Sequence, residues 1–337
     1  MKTIVCKEPN HLKMSDVYPP VAKEGEAIVR IRRIGICGTD LHAFKGNQPY
    51  FTYPRILGHE LSGIIESAGK NESAFKEGDQ VSIIPYLACG KCVACKKGRT
   101  NCCTDINVLG VHIDGGMSEL ISVRFENLIK TDSLTLDQSA VIEPLSIGAH
   151  AIRRSGIQKG ENVLVIGAGP IGLGVMAFAK KEGAHVTAMD VNEERLQFCR
   201  QWANVDEIVN AMDNAIDKIS EITCGEMPIA VFDATGSATS MMNAFQFTSH
   251  AGKLIYVGLV KSEISFSHPD FHKKELTLMG SRNATREDFQ NVIDAITEGK
   301  MNLDAYITHR AQFDEVVEQF EKWLDPKEKV IKAIVEL

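Results

Sequence analysis

The chain has 337 residues, enough for two domains of ordinary size, and its 44% apolar and 24% charged residues are those of a globular protein. Lys plus Arg total 37 against 44 for Asp plus Glu, a net charge of −7, so no basic stripe is offered to nucleic-acid phosphates. No apolar run approaches the ~20 residues of a membrane span, and the start, Met1-Lys2-Thr3-Ile4-Val5-Cys6-Lys7-Glu8-Pro9, meets charge and proline too early for an apolar signal core, so a cytoplasmic protein without nucleic-acid or membrane partners is expected.

The first third reads as short strands and turns. Residues 27–36 are strand-like with partial alternation, and 61–67 and 80–85 look similar. Glycines mark the turns at Gly58, Gly63, Gly69, Gly78, Gly115 and Gly116. One inserted loop carries Cys89, Cys92, Cys95 and Cys103. Four thiolates on a compact loop close a tetrahedron around one Zn²⁺ with no open position, which is a structural site. Cys102 adjoins Cys103, and only one of the two can be the fourth ligand. The alternative, a disulfide cluster, does not suit a reducing compartment.

The middle changes character. Glu161-Asn162-Val163-Leu164-Val165-Ile166 reads as a buried strand, followed by a glycine turn and a helix over 171–182. A strand at 185–190, a helix at 193–202 and strands at 229–233 and 253–258 come next. Strands alternating with helices predict a parallel sheet covered on both faces. The strand over 253–257 is followed by Gly258-Leu259-Val260. Helices are expected at 286–299 and 313–323, and the final 330–335 reads as a strand returning to the first domain.

Gly167-Ala168-Gly169-Pro170-Ile171-Gly172 lies between predicted strand and predicted helix. Glycines allow the tight turn and close backbone approach, and the helix N-terminus faces a pyrophosphate with free N–H groups. Asp190, eighteen residues beyond Gly172, ends the next strand. A carboxylate there accepts from a ribose hydroxyl and repels a 2′-phosphate, which favours NAD over NADP. Arg195, in the following helix, is a further candidate cofactor contact. The candidates for an open metal site are dispersed: Cys37, then His59 and Glu60, then Glu143. Taken alone, Cys37 reads equally as a small buried apolar residue and His59 as a satisfied loop histidine.

In order along the chain stand Gly-Ile-Cys-Gly-Thr-Asp-Leu-His, Gly-His-Glu, the four-cysteine loop, Ile-Glu-Pro and Gly-Ala-Gly-Pro-Ile-Gly. That series resembles the zinc-dependent medium-chain dehydrogenases over essentially the whole chain. The resemblance implies a GroES-like β-rich catalytic domain (1–143 and 284–337) and a Rossmann NAD-binding domain (144–283). It implies a catalytic zinc on Cys37 and His59, with Glu60 and Glu143 as ligands or neighbours of the metal. A structural zinc would sit on Cys89, Cys92, Cys95 and Cys103, the family pattern favouring Cys103 over Cys102. Thr39 would receive the substrate hydroxyl proton and His42 would pass it toward solvent. Zn²⁺ as a Lewis acid lowers the pKa of an alcohol, and nicotinamide takes the hydride.

Narrower likeness lies in Gly46-Asn47-Gln48-Pro49-Tyr50-Phe51, in Gly98-Arg99-Thr100-Asn101-Cys102-Cys103, and in His272-Lys273-Lys274-Glu275 with Gly280-Ser281-Arg282-Asn283-Ala284-Thr285. These resemble the L-galactonate and L-gulonate 5-dehydrogenases, which oxidise C5 of a hexonate. A carboxylate anchor is then required. Arg282 is the first candidate, since arginine pairs bidentately with carboxylates, and Lys273 and Lys274 are weaker ones. Polyol or threonine-type dehydrogenases are the alternative within the family. A catalytically silent zinc- and nucleotide-binding regulator is the alternative outside it, disfavoured by the presence of Cys37, Thr39, His42 and His59. A homodimer or homotetramer is expected from the resemblance, which suggests the strand over 253–257 as a sheet edge that pairs with a second subunit.

Overall fold

The computed structural model describes residues 1–49, 51–69 and 74–337; Tyr50, quoted in one motif above, lies outside the described residues. The chain forms two compact units, Met1–Glu143 with Thr285–Leu337, and Pro144–Ala284.

The first unit is built around the eleven-residue strand Glu26–Ile36. It is rich in β-branched residues, and Ile28, Val29, Ile31, Ile34 and Ile36 are all buried. It pairs antiparallel with Glu60–Ser67 and Leu120–Arg124 and, at its far end, with the C-terminal strand Lys332–Glu336. Gly63 lies inside a strand rather than at a turn, because any side chain there would run into the backbone of Arg30 on the neighbouring strand. The core between these strands and their flanking helices includes Ile4, Leu57, Leu61, Phe44 and Phe320. The expected helix over 313–323 starts as a tight three-residue turn, Phe313–Glu315, and becomes α-helical at Val316–Lys322.

The second unit is a six-stranded, all-parallel sheet in the order Glu207–Asn210, His185–Asp190, Asn162–Ile166, Ala230–Asp233, Lys253–Tyr256, Thr277–Gly280. Order reversal beside Asn162–Ile166 creates the switch point at which such sheets bind ligands. This is the expected α/β fold. The strand Lys253–Tyr256 is not the sheet edge that the resemblance suggested. It is paired on both sides, and the edge is Thr277–Gly280. Among the described residues no helix is long and apolar enough to cross a membrane.

Candidate metal centres and dinucleotide turn

The strand Glu26–Ile36 and its partner Glu60–Ser67 bring the first candidate donor set together. It ends at Ile36, and Cys37 caps the short helix Gly38–Phe44. In the antiparallel register Gly35 lies opposite Glu60. A side chain at position 35 would collide with the Glu60 carboxylate, so a glycine there leaves room for that side chain. Donor atoms of Cys37, His59 and Glu60 lie within 4.8 Å of one another, with His59 and Glu60 buried. Glu143, in the first turn of the helix Ile142–Ser155, lies outside that group. It is buried and feels the charges of His59 and Glu60.

Three residues that motif reading passed over surround these donors. Asp40, fully buried, accepts from the Cys37 N–H at 3.0 Å and the Gly58 N–H at 3.1 Å. Its Oδ1 stands 3.6 Å from His59 Nδ1. Lys332, 1% exposed, donates to both oxygens of Glu60 at 2.7 Å and to the Ile36 carbonyl at 3.1 Å. Tyr86 donates its hydroxyl proton to Glu143 Oε1. A lone lysine in the apolar run Val330-Ile331-Lys332-Ala333-Ile334-Val335 was the available signal for the second. Tyr86 carried none.

The chemistry of the donor set fits a divalent cation. Asp40, Glu60 and Glu143 are buried beside the Cys37 thiol, with Lys332 as the ammonium among them. Burial first, with the Glu60 charge added and against the pull of His59, pushes the Glu143 carboxyl up to about 7. Burial opposes charge on His59 too, yet Asp40 and Cys37 lift the imidazole well above its ordinary value. His59 Nδ1 is buried without a hydrogen-bond partner among the described residues. Surplus buried negative charge is what a metal ion would satisfy, with Nδ1 left facing the Asp40 carboxylate. Thr39 is half-buried and His42 exposed, one helical turn apart on Gly38–Phe44.

The second donor set is Cys89, Cys92, Cys95 and Cys103, whose sulfurs also lie within 4.8 Å of one another. Tetrahedral thiolates at ~2.3 Å from one zinc stand about 3.8 Å apart, and Cys92 and Cys95 Sγ are 3.5 Å apart. Backbone N–H groups of Cys89 and Asp105 point at Cys103 Sγ, at 3.2 and 3.4 Å. The Cys95 and Thr104 N–H groups pull the Cys92 thiol down toward the thiolate form that a metal needs. Cys102 is exposed and stands outside the set, while Cys103 is buried.

In the second unit Gly167 has φ +102°, and a side chain at Gly172 would strike the Gly167 carbonyl. A Cβ at Gly169 would meet nothing within 4 Å, so the cap of the helix Pro170–Lys181 is open to a ligand. Pro170 and Ile171 form the first turn of that helix. This cradle suits a pyrophosphate. Asp190 accepts from the Ala168 N–H at 2.7 Å and the Asn192 N–H at 2.9 Å, which fixes its carboxylate beside the turn. Arg195 is half-buried in the helix Glu193–Trp202, which Asn192 caps. Arg282 is exposed just beyond the edge strand Thr277–Gly280. Lys273 is exposed. Lys274 has another task than anchoring substrate: its ammonium donates to the Thr248 carbonyl at 2.7 Å, and to those of Phe245 and Gln246 at 3.4 and 3.5 Å.

Residues 23–133 match the alcohol dehydrogenase GroES-like domain, and residues 170–298 match the zinc-binding dehydrogenase domain. The chain belongs to the zinc-dependent medium-chain dehydrogenase family. Zinc and NAD are the cofactors of this dehydrogenase. It is 43% identical over 335 residues to L-galactonate-5-dehydrogenase of Escherichia coli (strain K12), covering 99% of this chain and 98% of that one. It is 30% identical over 344 residues to sorbitol dehydrogenase of Bacillus subtilis (strain 168), covering 99% and 97%. The crystal structure of the alcohol dehydrogenase RspB from E. coli CFT073, complexed with NADH, superposes with a TM-score of 0.93 at 29% identity over 100% of this chain and 99% of that one.

Proposed function

We propose that this dehydrogenase oxidises C5 of a hexonate, L-gulonate or L-galactonate, to the 5-keto acid with NAD as hydride acceptor. The observation that carries the reading is the full-length likeness to L-galactonate-5-dehydrogenase at 43% identity. Bound zinc would supply Lewis acidity to the substrate hydroxyl, and bound NAD the hydride acceptor. The chain's own residues do the rest. Cys37, His59 and Glu60 would be the zinc ligands, with Glu143 behind them held by Tyr86. Asp40 orients His59, and Lys332 holds Glu60. Thr39 Oγ1 accepts the substrate hydroxyl proton and His42 hands it to solvent, the route that a half-buried and an exposed group on one helix face provide. Asp190 would take the ribose hydroxyls, Arg195 would be a further contact to the cofactor, and Arg282 would bind the hexonate carboxylate.

The test is incubation of the zinc-loaded protein with NAD and each hexonate, following NADH and locating the new carbonyl by carbon NMR. NADH with a carbonyl at C5 is the expected result. A carbonyl elsewhere, or no NADH, overturns the assignment. Oxidation of a neutral polyol is the second reading, favoured by the full-length likeness to sorbitol dehydrogenase.

A further inference from the structure

Asp233 ends the strand Ala230–Asp233 and is fully buried. Its Oδ1 accepts from the Thr235 N–H at 3.0 Å and the Thr235 hydroxyl at 2.7 Å. Its Oδ2 accepts from the Ser240 hydroxyl at 2.5 Å. Thr235 Oγ1 accepts in turn from the Ser237 N–H at 3.0 Å, and Ser237 Oγ accepts from the Ser240 N–H at 3.4 Å. The bonds therefore close a ring, Asp233 to Thr235 to Ser237 to Ser240 and back. Three hydrogen-bond donors hold this carboxylate.

What the ring holds is the turn at 234–237, whose Thr235, Gly236 and Ser237 are exposed at the C-terminal end of the sheet. That turn is wedged between the glycine turn and the neighbouring strand end. A Cβ on Gly167 would be 3.1 Å from both Ala234 C and Thr235 Cγ2, and one on Gly258 would be 2.6 Å from Gly236 N. The Ala234 N–H donates to the Ile166 carbonyl at 2.8 Å, one residue before Gly167. With no side chain between them, the Gly167 backbone and the 234–237 turn pack directly, so the position of one depends on the position of the other.

We propose that Asp233 is a positioning residue for the dinucleotide: through the Thr235–Ser237–Ser240 ring it sets the turn against which Gly167 closes, and so sets affinity for NAD without touching it. The inference rests on the dinucleotide reading of the Gly167–Gly172 turn. A carboxylate accepts all of these bonds at once, whereas an amide of the same shape must turn a donor toward one of them. Closed networks of this kind hold a ligand-binding turn more rigidly than single bonds do.

The experiment uses the full-length, zinc-loaded protein. NADH affinity is measured by fluorescence titration and calorimetry for wild type, Asp233→Asn, Ser240→Ala and Ser240→Thr. Steady-state kinetics and circular dichroism are run in parallel. Asp233→Asn should weaken NADH binding tenfold or more and raise KM for NAD by the same factor. Zinc content, KM for the alcohol and kcat at saturating NAD should stay within twofold. Ser240→Ala should weaken NADH binding about threefold, and Ser240→Thr, which keeps the hydroxyl, should return it to the wild-type value. Should Asp233→Asn fail to fold, the Ser240 pair decides. NADH affinity within twofold of wild type in folded Asp233→Asn, or in Ser240→Ala where that variant decides, overturns the inference, as does a loss confined to kcat. Failure of wild type itself to bind NADH would overturn the dinucleotide reading instead.

Discussion

Lys332 and Glu60 lie 272 positions apart in the chain and meet as a buried ion pair, with both carboxylate oxygens 2.7 Å from the ammonium. The register explains the meeting. Glu60 lies opposite Gly35 on one side of the strand Glu26–Ile36, while Ala333, next to Lys332, lies opposite Ile36 on the other. The last strand of the chain thus carries into the site the ammonium that holds Glu60. Lys332→Met should destabilise the protein by about 3–5 kcal/mol, since it strands a buried carboxylate. Pairing it with Glu60→Gln should restore most of that loss, because no uncompensated charge then remains. Urea unfolding of the four proteins checks this. Simple additivity would show that the pair is not coupled.

The two donor sets call for about two zinc ions per chain, one closed and one open. Cys89→Ser should retain one and lower stability more than turnover, because a closed site contributes folding energy. Elemental analysis alongside thermal unfolding separates the two effects. Wild type with a single zinc in undamaged protein would sink the two-site reading.

Asp190 should enforce a strong preference for NAD. A carboxylate and a 2′-phosphate forced together in a partly desolvated site cost several kcal/mol. Asp190→Ser should lower kcat/KM for NAD and narrow the gap to NADP. Equal use of both cofactors by wild type would remove this role from Asp190.

Arg282→Ala should cut kcat/KM for a hexonate by roughly thirtyfold, about 2 kcal/mol of lost charge pairing. Oxidation of a neutral polyol of similar length should change far less, since it has no carboxylate to lose. Equal loss on both substrates, or a loss of NAD affinity, would make Arg282 a structural or cofactor residue. Lys273 would then be the next candidate, Lys274 being committed to backbone carbonyls.

Much of this was legible in the chain because the chemistry needs local patterns. A glycine turn between strand and helix, with Asp190 at the end of the next strand, announces itself. So do four cysteines in one loop. Cys37, His59 and Glu60 were readable as donors only through the motifs around them, yet strand register brings them together. Lys332, Tyr86 and Asp40 were not readable as site residues. Their partners lie on other strands, and a single lysine in an apolar strand looks like a flaw in the pattern until Glu60 appears beside it. The sheet edge was misplaced for a similar reason. The run Thr277-Leu278-Met279-Gly280 is short and weakly patterned, so the strand before it looked like the last.

The central claim, oxidation of a hexonate, is tested most directly by kcat/KM of the zinc-loaded protein with NAD on L-gulonate, L-galactonate and sorbitol under one set of conditions. One of the two hexonates should exceed sorbitol at least tenfold. Sorbitol oxidised as fast as either hexonate, or faster, would contradict the claim and place the protein with the polyol dehydrogenases.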